Sequence, residues 1–446
     1  MNKPQRMLAF VLCVATPHVH AQERAQTLTL EQAHEIRLAN RPLLKARQFS
    51  ADTARQITLQ LESARYPQVA GNVTAATATS ETVVQDGQEV TLPSRIGAGA
   101  LNNPSVRRRD AAGVAISQLI TDFGRTSNLV DSSKFNEASQ LQQVNATRAQ
   151  VLLDIDDAFL SALEAQAVLQ VARKTVDARA ILLDRIVALA KNKLKSELEV
   201  RFAEVSLGEA RLLLLRAENG VEAAYARLST SLGYHDARRF DLVDQAGSDA
   251  PAGELDSLLT QAIAARPELA SLRADREAAR EFVEAQRALR YPTINAYAAA
   301  GVIPIGDEVF PRNYAAVGIN LNLTLLDGGK ISALQQEAKL RHLAVSESLS
   351  EAENVVARAV RVAWLNAKAA YENISITGHL KDVSAQALKL AESRYSLGIT
   401  SIVELNQAQL SAIDAEIGYS RAKYQYLIAR SVLAYQVGTL DAANPR

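Results

Sequence analysis

The chain of 446 residues has almost no cysteine: the only one, Cys13, lies close to the N-terminus. Beyond that point disulfides, thiol nucleophiles and thiolate metal sites are excluded together. Aromatic residues make up only 5% of the chain. Neither sign of charge prevails, with 49 basic residues against 49 acidic ones, so there is no electrostatic footprint for nucleic acid or for an anionic membrane surface. After the N-terminal segment no run of about 18 apolar residues occurs, which excludes a membrane-spanning helix there. Histidines 34, 235, 342 and 379 are scattered, show no HExxH or paired metal spacing, and read as helix-surface polar residues. Gly97-x-Gly99 lacks the third glycine of a dinucleotide site, and there is no Walker motif. Asp154, Asp156 and Asp157 read as a solvated helix face, and Trp364 and Tyr371 as helix packing. No constellation for acid–base, nucleophilic, metal or cofactor chemistry is found, so the chain does not read as an enzyme.

What is present begins with an export signal. Lys3 and Arg6 precede a short apolar core from Met7 to Thr16, Pro17 breaks it, and Val19-His20-Ala21 fits a small-residue cleavage pattern. Residues 1–21 are therefore expected to be removed. Leu12 before Cys13 is larger than a lipidation signal favours, which supports simple cleavage.

The remainder repeats itself. Arg41-Pro42 returns as Arg266-Pro267, and Arg65-Tyr66-Pro67 as Arg290-Tyr291-Pro292, both offset by 225. Later the offset is 205: Asp122-Phe123-Gly124-Arg125 answers Asp327-Gly328-Gly329-Lys330, and Ser196 and Glu199 answer Ser401 and Glu404. The first copy thus carries 20 extra residues, the difference 225 − 205. They include Gln85-Asp86-Gly87 and Leu101-Asn102-Asn103-Pro104, which read as a long loop. The expected units are residues 22–245 and 246–446.

Each unit reads helix, strand, loop, strand, helix, helix. No proline occurs from Ser105 to Ala250 or from Arg312 to Asn444, and proline is excluded from helix interiors. First helices are expected over Leu30–Ala64 and Leu255–Leu289, with Pro42 and Pro267 near a break or a fresh helix start, and ended by the Tyr-Pro pairs. From Thr126 to Lys191 the apolar face runs through Leu152, Ile155, Phe159 and Leu163. Such a helix spans roughly 100 Å and cannot wrap a compact core. Return helices start near Ser196 and Ser401, the second with coiled-coil spacing. Val317, Ile319, Leu321, Leu323 and Leu325 alternate with polar or small residues, the period of a half-buried strand. In the first copy Val114, Ile116 and Ile120 do the same, interrupted by Gln118. A soluble antiparallel sheet alternates in the same way.

Four strands are too few to close a barrel, and open edges are not tolerated in lipid. A barrel shared among copies in a cyclic oligomer resolves both constraints. A coiled-coil scaffold in the periplasm without a pore accounts for the helices but not for a lipid-facing strand at 317–325.

Ala-Arg-Tyr-Pro (64–67), Leu-Leu-Asp-Gly-Gly-Lys (325–330), Arg-Tyr-Ser-Leu-Gly-Ile-Thr-Ser-Ile-Val-Glu-Leu (394–405), Tyr-Gln-Tyr-Leu-Ile-Ala-Arg (424–430) and Val-Gly-Thr-Leu (437–440) together resemble the TolC family of outer-membrane efflux and secretion ducts. The resemblance covers nearly the whole chain after residue 21. It implies a mixed α/β membrane protein: a homotrimer with four strands per protomer in one shared barrel, and long antiparallel helical hairpins forming a periplasmic tunnel. It implies outer-membrane lipid around the barrel, a periplasmic adaptor, and an inner-membrane transporter of the RND or ABC type. It implies no cofactor, no metal and no catalysis. In the family the turn matching Gly398, Thr400 and Ser401 lies at the periplasmic tip, and acidic side chains just beyond narrow the pore. Here Glu404 falls on the first such position and neutral Gln407 on the second, which thins the expected ring of charge; a solvated helix-surface acid is the alternative for Glu404. Lys193 stands where the second copy has Gly398, and Lys191, Lys193 and Lys195 form either an adaptor-contact patch or an ordinary charged turn.

Overall fold

Proline and glycine set the element boundaries. The computed structural model describes residues 26–40, 42–77, 81–92, 108–244, 250, 253–305 and 312–440. The expected signal, Gly97-x-Gly99, Leu101–Pro104 and the 245/246 boundary lie outside the described residues. Strand β1 (Gln26–Leu28) leads into α1 (Leu30–Asn40), and α2 (Pro42–Glu62) starts on its proline. The first position of a helix tolerates proline because its N–H has no partner there. The helical stretch expected over 30–64 is two helices, with the fresh start at Pro42, followed by a 3-10 turn, Ser63–Arg65. Tyr66 is extended at ψ 155, as a residue before proline must be, and the chain enters β2 (Gln68–Thr77).

Then come β3 (Glu81–Gln85), β4 (Gln88–Leu92), β5 (Arg108–Thr121), α3 (Arg125–Lys191), α4 (Glu197–Leu232) and β6 (Phe240–Leu242). The second series is α5 (Leu255–Ala265), α6 (Pro267–Arg287), β7 (Thr293–Ile305), β8 (Asn313–Asn322), α7 (Lys330–Ser396) and α8 (Ile402–Val437). Corresponding helices have equal lengths: 11 residues for α1 and α5, 21 for α2 and α6, 67 for α3 and α7, and 36 for α4 and α8. The two series therefore differ in the strands and loops alone.

Both long helices start at an Asp-x-Gly turn. Asp122 accepts from the Thr126 amide at 2.8 Å, and Asp327 from the Ile331 amide at 2.6 Å and the Gly329 amide at 2.9 Å. Gly124 (φ 93) and Gly329 (φ 89) supply the left-handed step that bends the chain off the sheet. No helix among the described residues is long and apolar enough to cross a membrane.

The main sheet runs β2-β5-β7-β8, all antiparallel neighbours. Its register places Val69, Ile116, Ala298 and Val317 in one row, and Gln118, Ala296 and Ile319 in another on the same face. That face is apolar and exposed, Val317 at 88%. The opposite face carries Gln68, Ser117, Tyr297 and Gly318, then Asn72, Gly113, Gly301 and Tyr314. Strand β8 ends at Asn322, so Leu323 and Leu325, expected within it, lie in the link to α7. The approaching Asp327 turn explains this: its bonds belong to the helix start rather than to a ladder. Gln118 interrupts the apolar face for a local reason. Its amide nitrogen donates to the carbonyls of Arg65 and Leu119, at 3.0 and 2.8 Å, where β5 bulges.

Part of the expected loop is folded. β3 and β4 form a hairpin whose turn, Asp86 (φ 55) and Gly87 (φ 76), has the double positive φ that matches strand twist. The parallel pair of β1 with β6 has no signal in the sequence, because three residues carry no period.

Near the sheet, α3 packs on α2 and α6, and α6 on α7; farther away the order across the layer is α4, α3, α8, α7. Between these levels lies a cluster of Leu28, Ile155, Phe159, Leu160, Tyr225, Phe240 and Tyr426. Here two sequence readings are corrected. His34 and Asp156 are buried, not on a solvated face, and meet at 2.6 Å. The pair docks α1 on α3, since a buried polar group needs a partner. Asp157 is paired with Arg227 of α4. Trp364 and Tyr371 do pack, Tyr371 against Tyr426 at 5.3 Å between ring centroids.

Candidate functional site

The ends of the two hairpins, farthest from the sheet, bring most of the singled-out residues together. Both connections have the same backbone. Lys193 and Leu194 donate to the carbonyls of Ala190 and Leu189; Gly398 and Ile399 donate to those of Tyr395 and Arg394. This is the paired closure of a helix C-terminus, and it needs one left-handed residue. Gly398 (φ 73) meets it freely, whereas Lys193 (φ 57) does so against its own Cβ.

Each return helix is capped by its serine. Ser196 and Glu199 form a reciprocal box, with Ser196 Oγ accepting from the Glu199 amide and the Glu199 carboxylate from the Ser196 amide at 2.9 Å. Ser401 Oγ accepts from the Glu404 amide, but the Glu404 carboxylate turns elsewhere. It binds the Thr400 hydroxyl and lies 3.4 Å from Arg394 on the same hairpin. Glu404 and Gln407 are both exposed, one turn apart on α8.

A cross-link joins the hairpins. Tyr395 Oη donates to Glu199 Oε1 at 3.0 Å, and Lys195 Nζ lies 2.9 Å from the same oxygen and 3.9 Å from the centre of the Tyr395 ring. Burial pushes the Glu199 carboxyl upward, but the bonds from Lys195, Ser196 and Tyr395 outweigh it and hold the pKa below the ordinary range. Burial opposes charge on Lys195 too, and its bonds to Glu199 and Tyr395 win, raising its pKa. Tyr395 is raised by burial and by the Glu199 charge. Under this link lies an apolar cluster from all four helices: Ile186, Ala203, Ala391, Tyr395, Ile402 and Leu405.

Of the expected contact patch, Lys195 is therefore engaged internally. Lys191 and Lys193 are exposed, and no ion pair among the described residues involves them. Around them stand exposed Leu194, Leu198, Leu397, Ile399 and Val403. The Tyr395–Glu199 link joins residues 196 apart in the chain, beyond the reach of local pattern. The duplication carried a signal for it: Tyr395 corresponds, at offset 205, to Ala190, so only one hairpin brings a phenol to the tip.

The edges of the layer complete the site. Val355, Val362, Ala369, Ile376, Val383 and Leu390 recur every seven residues on α7, and all are exposed. On α4, Leu198, Phe202, Val205 and Leu212 are exposed at spacings of 4, 3 and 7. A seven-residue apolar repeat is the seam of a coiled coil that lacks its second helix.

A sequence model of the family described as "Outer membrane efflux protein" matches residues 34–234 and 258–439. Outer membrane protein TolC of Salmonella enteritidis is 24% identical over 377 residues, 80% of this chain and 76% of that protein. Alkaline protease secretion protein AprF of Pseudomonas aeruginosa is 28% identical over 186 residues, 41% of this chain and 39% of that protein. A solved structure of CusC, described in terms of transmembrane channel formation, superposes with a TM-score of 0.78 at 17% identity, covering 92% of each chain.

Proposed function

This chain belongs to the outer membrane efflux protein family, and from that premise we infer that it is one protomer of a trimeric exit duct, a passive conduit rather than an enzyme. It serves in the outer membrane as the outlet of an efflux or secretion system.

The observation that carries the trimer is the matching of edges. The sheet ends on β2 and β8, and the helical layer ends on α4 and α7 with apolar stripes. An α7 stripe of one copy packed on an α4 stripe of the next is a heterologous contact, which closes into a ring when the rotation permits. The same step pairs β8 of one copy with β2 of the next. Three copies then give twelve strands, enough for an open lumen, and no edge remains in lipid. The face bearing Val317, Ile319 and Leu321 meets lipid, and the face bearing Asn72 and Tyr314 lines the lumen.

At the other end of the tube, Glu404 and Gln407 form the periplasmic constriction. Arg394 beside Glu404 damps the repulsion among three symmetry-related carboxylates, so cation selectivity is weaker than a bare acidic ring gives. Lys191 and Lys193, with the apolar residues around them and the Gly398, Thr400 and Ser401 turn, take up a periplasmic adaptor that links the duct to an inner-membrane transporter.

The test is single-channel conductance of the purified protein in a planar bilayer, with Glu404→Ala beside the wild type. A small conductance that rises in the variant supports the duct and the constriction. A conducting wild type with an indifferent variant removes Glu404 from the narrowest point, and absence of membrane insertion overturns the duct.

A further inference from the structure

Arg179 is a buried cation that nothing above employs. It lies on α3, twelve residues before Lys191, or roughly 18 Å from the helix end. The residue is 4% exposed. Its Nη1 donates to Asn406 Oδ1 at 3.0 Å and to Gln409 Oε1. Both acceptors are on α8, in the turns that follow Glu404, and Gln409 is itself buried.

These partners are neutral amides. No carboxylate among the described residues is within ion-pair distance of Arg179. Burial lowers its pKa, opposed in part by the charge of Glu209 on α4. Were stability the only requirement, an apolar side chain of similar volume would fill this site at least as well, since a buried charge costs desolvation. What the guanidinium adds is direction: the N–H groups of its Nη1, held in the guanidinium plane, reach two acceptors one turn apart. The neighbouring cluster of Ile186, Ala203, Ile402 and Leu405 is non-directional and does not by itself specify the azimuth of α8 on α3. Asn406 and Gln409 flank Gln407, so fixing them fixes the azimuth of the Glu404 and Gln407 face.

We propose that Arg179 is the positioning residue of the entrance: by holding the first turns of α8 in register with α3, it sets the aperture that Glu404 and Gln407 line. The proposal rests on the duct reading above. It is separate from the Tyr395–Glu199 link, which uses other side chains on the far side of the apolar cluster.

The test compares wild type with Arg179→Met, which keeps the stem and removes the guanidinium, Arg179→Lys, which keeps the charge and loses the planar Nη1 donor, and Gln409→Leu. Two quantities are read on purified oligomers: amide hydrogen exchange across residues 402–412, and single-channel conductance. All three variants are expected to retain the oligomer, to exchange about tenfold faster in 402–412, and to conduct severalfold more. Arg179→Met combined with Gln409→Leu is expected to exceed neither single variant. Unchanged exchange overturns the proposal. So does faster exchange with wild-type conductance. Full rescue by Arg179→Lys overturns the argument from guanidinium geometry. If the wild type forms no pore, the duct reading falls, and the exchange data alone carry or overturn the α3–α8 register role.

Discussion

Tyr395 on the second hairpin donates its hydroxyl to Glu199 on the first, so a charge-assisted hydrogen bond ties the two hairpins of one chain at the tip. Lys195 shares the acceptor. Tyr395→Phe deletes the donor and leaves the ring in its apolar cluster. It is expected to destabilise the tip by about 1 kcal/mol and to raise conductance, while the assembly remains intact. Single-channel recording beside a thermal melt checks this; an unchanged conductance removes the link from gating.

The same link gives a pH dependence. Glu199 has a lowered pKa when folded, so its contribution is present above the ordinary carboxylate range and is lost as pH falls through the lowered value. Lys195 has a raised pKa, so its contribution is present below the ordinary lysine range and is lost as pH rises through the raised value. Conductance is therefore expected to be flat across neutral pH and to rise below about pH 4. Glu199→Gln is expected to show the higher level at every pH, and persistence of the acid-side rise in that variant assigns it to another group.

Within the sheet, the Tyr314 ring lies across the backbone of Gly301 and Gly113. A Cβ on Gly301 would come within 2.5 Å of both the Tyr314 hydroxyl and the Ala112 carbonyl oxygen. Gly301→Ala is expected to displace the ring and cost about 2 kcal/mol, read as a lower temperature of assembly dissociation. Gly318, with open space at its Cβ position, is the control: Gly318→Ala should be close to neutral.

The seven-residue stripe on α7 predicts the assembly. Ile376→Lys with Val383→Lys places two charges on the proposed seam without touching the fold of the protomer, because both side chains are exposed there. Monomer in place of trimer is expected by mass measurement in detergent, at unchanged helical content. A trimer that survives both lysines moves the contact elsewhere.

Helices and their ends were legible in the sequence because their causes are local. Pro42, Pro267, the Asp-x-Gly turns and the capping serines act within one turn of where they stand, and they recur at matching places in both series. The apolar face of β8 was equally plain, although its end was not: Leu323 and Leu325 continue the alternation, and the Asp327 turn overrides it. The Asp86-Gly87 hairpin was legible in principle through its two-residue turn.

What the sequence could not hold is pairing over distance. Asp156 shares its surroundings in sequence with Asp154 and Asp157, yet only Asp156 is buried, because α1 returns His34 to that spot. Glu199 and Tyr395 are 196 residues apart, and Arg179 and Gln409 are 230 apart. Periodicity, proline and glycine determined that this chain makes long helices and half-apolar strands in two matching series. The lateral order of the helices, α4, α3, α8, α7, decided which faces are covered, which stripes remain for another copy, and which polar side chains meet at the tip.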